Sequence, residues 1–68
     1  MVKVTVFTKE AKIKFITEEE KSQKFIEDVI KYSGSDTCIV VSGFLKDQTK
    51  VDYAMNVKNI DSIEAMDY

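Results

Sequence analysis

The stretch DTCIVVSGFL, Asp36–Leu45, decides the fold. From Cys38 to Leu45 nearly every residue is apolar or small. A strand with one solvated face alternates apolar and polar side chains, because successive side chains point to opposite faces. This run does not alternate, so it predicts a strand that needs cover on both faces. In a chain of 68 residues the second cover is hard to supply. A domain of that size buries a modest core and is marginal unless something staples it or it oligomerises.

The usual staples are missing. There is one cysteine, so no intramolecular disulfide forms, and a reduced cytoplasmic setting is expected. There is no histidine, which removes both a Cys/His zinc site and the side chain best suited to acid–base work near neutral pH. Cys38 opens an apolar strand and reads as a small buried hydrophobe. Gly34 and Gly43 are isolated, so no glycine-rich phosphate loop exists. No enzyme activity, metal or cofactor is expected, and no catalytic residue is assigned.

Charge narrows the partners. Twelve acidic and ten basic residues give a net charge of −2, and every basic residue is lysine. Arginine supplies the planar fork that grips phosphate and reads guanine. Its absence argues against nucleic acid as the main partner. No apolar run approaches the roughly 20 residues that cross a bilayer. The start, MVKVTVFTKE, alternates and lacks a small-residue cleavage site, so no signal peptide is expected. The Lys-only usage with Ile, Asn, Asp and Tyr fits a low-GC coding source, such as a Gram-positive bacterium or its phage.

Working outward from Asp36–Leu45, the chain reads as one domain, 1–68. Val2–Thr8 and Ala11–Ile16 both alternate and predict two half-buried strands. A two-residue turn at Lys9-Glu10 sets Val6 opposite Ile13 and Val4 opposite Phe15, with all four on one face. TEEEKSQKFIEDVIKYSG, from Thr17, predicts a helix. Thr17 is its expected N-cap, with Glu20 three residues on. Glu18, Glu19 and Glu20 suit the positive end of the helix dipole. Phe25, Ile26, Val29 and Ile30 form its apolar stripe, and Gly34 its stop. Cys38–Leu45 and Lys50–Val57 follow as third and fourth strands around the polar turn Lys46–Thr49. Pairing through that turn sets Phe44 opposite Val51, Ser42 opposite Tyr53, Val40 opposite Met55 and Cys38 opposite Val57. The tail, NIDSIEAMDY, repeats Ile60, Ile63 and Met66 every three residues, which reads as a short helix or as a turn and edge strand.

The fold class is therefore α+β: a ββαββ domain, a mainly antiparallel four-stranded sheet with one helix on one face. The helix is expected to cover Val4, Val6, Ile13, Phe15, Val40, Phe44, Tyr53 and Met55. The other face then holds Phe7, Ile16, Ile39, Val41 and Leu45, the candidate protein interface. Either the tail folds back over Ile39 and Val41, or a second copy or partner covers them; large exposed apolar patches are rare on monomers and two-fold dimers are common.

The leading expectation is a small non-enzymatic protein-binding module, a homodimer. A phage or mobile-element accessory protein that modulates or inhibits a host factor fits this profile. From Ser33 onward six acids face three lysines, and such a half can compete for a DNA-binding surface on the host factor. The alternative is a weak single-stranded nucleic-acid binder using Lys3, Lys12, Lys14 and Phe7 on the N-terminal hairpin, since lysine contacts phosphate and an aromatic stacks a base.

Overall fold

The computed structural model describes residues 1–68 and contains one helix and five strands. In chain order these are β1 (Val2–Thr8), β2 (Lys12–Thr17), α1 (Glu19–Lys31), β3 (Cys38–Phe44), β4 (Lys50–Asn56), a single 3₁₀ turn (Val57–Asn59) and β5 (Ile60–Asp67). The strands form one sheet in the order β4-β3-β2-β1-β5, with every neighbouring pair antiparallel. The domain is α+β, with five strands where four were expected, because the tail is an edge strand on β1 and not a helix. It lies beyond β1 and so does not fold over β3.

The first hairpin follows its pattern. Val6 pairs with Ile13 and Val4 with Phe15. Lys9-Glu10 turns the chain, held by Thr8, whose backbone N–H donates to the Ala11 carbonyl while its hydroxyl accepts from the N–H groups of Glu10 and Ala11.

The second hairpin is shifted by one residue from the expected register. Ile39 pairs with Met55, Val41 with Tyr53 and Gly43 with Val51. The loop is the cause. Leu45 N–H donates to the Thr49 carbonyl, leaving three residues in the loop, and Gln48 takes a left-handed φ of 71°. Three-residue hairpin loops end in such a left-handed residue. Asp47 braces it by accepting the Thr49 N–H at 3.0 Å. Because side chains alternate, a one-residue slip exchanges the faces of a strand. Val41 is therefore a core residue at 7 % exposure, whereas Val40 is 67 % exposed and Phe44 faces outward. Ile39 and Val41 belong to the core side, not to an outer interface.

The helix differs at both ends. The strand runs through Thr17, so Thr17 does not cap the helix; its hydroxyl donates to the Ser42 carbonyl across the sheet. Glu18 occupies the N-cap without a side-chain bond. At the other end Ile30 turns away from the sheet and is 70 % exposed, leaving Phe25, Ile26 and Val29 as the packing stripe. Gly34, at φ 79°, carries the chain out of the helix in a conformation most residues avoid.

The sheet is strongly coiled. Its two edges, β4 and β5, are joined by only three residues. In a flat sheet four strand spacings separate those edges, roughly 19 Å. A 3₁₀ segment rises about 2 Å per residue, so this link reaches less than half as far. Because β4 and β5 run in the same direction, the link joins diagonally opposite corners, which the coil of the sheet must bring together. The 3₁₀ turn ties the ends together, because Val57 N–H donates to the Thr37 carbonyl and Asn59 accepts from Lys9 N–H. Inside the curl lie Val4, Val6, Phe15, Phe25, Val41 and Met55. Phe15 is central, with Phe25 edge-on at 6.1 Å and Tyr53 tilted at 5.8 Å.

Two predictions follow from this packing. Val41→Glu places an unpaired carboxylate in the core and should cost about 3 kcal/mol or more, whereas Val40→Glu should stay within about 0.5 kcal/mol. Urea unfolding of the two variants checks the register directly, since the other register reverses their order. Gly43→Ala puts a Cβ 2.7 Å from the Ile16 carbonyl oxygen and 2.8 Å from the Phe15 ring. It should destabilise by about 1–3 kcal/mol in the same assay.

Candidate protein-docking face

The observed registers define the outer face of the sheet. Strand alternation from Val4, Val6 and Phe15 inside leaves Lys3, Thr5 and Phe7 of β1, and Lys12, Lys14 and Ile16 of β2, outside. Pairing with β1 adds Ser62, Glu64 and Met66 of β5. On these three strands three lysines meet one acid. One cross-strand row runs Met66, Lys3, Ile16, Phe44, Lys50 across all five strands. Leu45 follows Phe44 at the strand end.

Ile16 is the floor of this region, at 7 % exposure. Phe44 and Leu45 stand beside it, each more than a third exposed. Two shallow hollows flank them. One, of about 220 Å³, adds the stems of Lys3, Lys14 and Lys46. The other, of about 340 Å³, adds Met1 and Tyr68. The result is an apolar patch ringed by lysines whose long stems lie against it while their charges stay in water.

The expected interface residues thus separate. Ile16 and Leu45 meet on this patch. Ile39 and Val41 lie on the core side. Phe7 sits at the far end of β1, opposite Lys12. The hairpin set Lys3, Lys12, Lys14 and Phe7 does share one face. However, the Lys12 ammonium lies 5.4 Å over the Phe7 ring, occupying a face that a base would stack on. Phe44 falls outside the expected set because the β3–β4 register read from the sequence turns it inward, and Met66 joins this face only through the pairing of β5 with β1.

Cys38 is exposed rather than buried, and pairs with Asn56 across the β3–β4 ladder. No cluster of acids and cysteine is placed to hold a metal. No helix is long and apolar enough to cross a membrane. The C-terminal acids do not share a face: Asp61 is the extra residue of a bulge opposite Phe7 and Thr8, Glu64 points outward, and Asp67 lies on the opposite side from Glu64. Every buried side-chain nitrogen and oxygen has a hydrogen-bond partner.

Two aspartates do have perturbed acidity, and both brace loops beside β3 and β4. The Asn56 side-chain amide donates to Asp36, and Lys58 lies 3.5 Å away; together they hold the Asp36 carboxyl below its ordinary value. Hydrogen bonds from Thr49 lower Asp47 in the same way.

Comparison of the chain with protein-family models, with curated proteins and with solved structures finds no match in any of the three.

A pH dependence follows from the two aspartates. Their folded pKa values lie below the ordinary value of 3.8, so each contributes stability above 3.8 that is lost as pH falls through the lower folded value. The double variant Asp36→Asn/Asp47→Asn should lose less stability than the wild type between neutral pH and pH values below 3.8. Urea midpoints at the two ends of that range measure the difference.

Proposed function

We propose that this chain is a non-enzymatic protein-binding module that docks an acidic, partly apolar surface of another protein. One observation carries the reading: the apolar patch of Ile16, Phe44 and Leu45 is ringed by Lys3, Lys14 and Lys46. Apolar area supplies affinity at such a surface, and the charged rim supplies orientation and on-rate. The rim also bears on the expected homodimer. A two-fold contact through this patch brings two lysine rings together, which like-charge repulsion opposes. An acidic foreign partner removes that conflict. A host factor with such a surface is the setting in which an accessory protein of this kind acts.

The nucleic-acid reading is weaker, since Lys12 covers Phe7 and the region lacks arginine. The test uses Leu45→Glu. Leu45 is partly exposed, so the variant should keep the far-UV spectrum and the urea midpoint of the wild type. Affinity capture should recover a protein with the wild type and not with the variant, and raised salt should elute it. Light scattering should give the mass of one chain. A mass of two chains that collapses in Leu45→Glu assigns the patch to a second copy instead. Salt-sensitive binding to an oligothymidylate, unaffected by Leu45→Glu, overturns the proposal in favour of nucleic acid.

A further inference from the structure

β3 has a second, separate opening. The bonds from Leu45 N–H to Thr49 and from Val57 N–H to Thr37 fix which residues face β4. Hydrogen-bonded pairs alternate along an antiparallel ladder, so Ile39, Val41 and Gly43 direct their backbone groups to β4. Cys38, Val40, Ser42 and Phe44 direct theirs the other way, toward β2. There only Phe44 finds a strand partner, Ile16. The Ser42 carbonyl is taken by the Thr17 hydroxyl. Beyond that point β2 has become α1, and on this side no strand residue lies opposite Cys38 or Val40.

The helix does not seal this gap. A groove of about 180 Å³ runs between α1 and β3. Phe25, Ile39 and Val41 give it apolar walls, Val40 stands open at its edge, and Lys21, Lys24 and Asp28 line the helix side. Lys24 is paired with Asp28 at 3.8 Å, whereas Lys21 has no ion-pair partner.

The two outer edges of the sheet look different. β5 carries a bulge and three acids, and β4 carries Lys50 and Asp52. Bulges and charges are the means by which edge strands avoid unwanted pairing. The open part of β3, with Cys38 and Val40, has neither.

We propose that this groove takes an extended peptide segment of a partner protein, which adds to β3 as a strand along the line β2 leaves at Thr17. A row of alternating N–H and C=O groups is complemented by another extended backbone, and side-chain pockets alongside it set the sequence preference. Here the preference is for an apolar residue against Phe25 and Val41 and, two residues along on the same face of the added strand, an acid near Lys21, which lies one helical turn from Phe25. The site is distinct from the outer-face patch and does not rest on that reading.

The test titrates the labelled full chain with a short synthetic peptide, blocked at both ends, that carries valine and glutamate in turn at every second position with threonine between, followed by amide NMR. The expected result is saturable binding with shifts and slowed hydrogen exchange at Cys38 and Val40. N-methylating one alternate set of peptide amides should weaken binding about tenfold or more, and methylating the other set should not. Lys21→Glu should weaken binding while leaving the unfolding midpoint unchanged. Val40→Pro removes the proposed donor while sparing the β4 ladder, and Lys21→Glu keeps the test intact if that variant does not fold. The proposal is overturned if the peptide does not bind, if its shifts fall on Ile16, Phe44 and Leu45, if both methylated peptides bind like the parent, or if a valine–lysine peptide binds equally well.

Discussion

The closest approach in the sheet is the one on which the rest depends. Gly43 lies so near β2 that a methyl group there would sit 2.7 Å from the Ile16 carbonyl. This is where the two hairpins meet, since β2 and β3 share only the pair Ile16–Phe44. A side chain at position 43 would push β3 from β2 and lift the Phe15 ring from its place between Phe25 and Tyr53. The single tie therefore sets the relative placement of two halves that each hold together locally. The Thr17–Ser42 hydrogen bond and the packing of α1 across β1 and β3 reinforce it.

That narrow junction also shapes the two surfaces proposed for docking. On the outer side it brings Ile16 against Phe44 and Leu45. On the inner side it ends abruptly, because the chain leaves β2 for α1. The result is a paired, apolar surface on one side and an unpaired backbone row on the other. Apolar residues in Cys38–Leu45 thus have three fates. Ile39 and Val41 are core residues, Phe44 and Leu45 belong to the outer patch, and Val40 stands at the open edge.

The legible parts of the sequence are those with a single consistent pattern. Val4, Val6, Ile13 and Phe15 alternate against lysine and threonine, and one register alone puts all four inside. β3 is apolar on both faces, so its pattern penalises neither register and the loop decides. Gln48 adopts a left-handed conformation without the glycine or asparagine that signals one. The tail reads equally as a helix or as the edge strand it forms, for a related reason. The bulge at Asp61 inserts a residue, so Ile60 and Ile63 reach the same face at a spacing of three, which mimics a helical turn. Thr17 has the residue type and spacing of a cap, and only the continued strand pairing shows that its hydroxyl is used elsewhere. Lys3 and Lys14 of the candidate patch are readable as part of a basic hairpin face, and Ile16 and Leu45 as apolar interface residues; Phe44 is not, because its face depends on the β3–β4 register that the loop sets.

The pairing of β1 with β5 has a mechanical consequence. The two strands are antiparallel, and Val2 lies opposite Asp67. Tension applied at these two positions enters the ladder at the same end. It loads the hydrogen-bonded pairs one after another rather than all at once. The sheet would part at low force by peeling β5 from β1, from Asp67 back toward the bulge at Asp61. The two hairpins and their shared core would yield only afterwards.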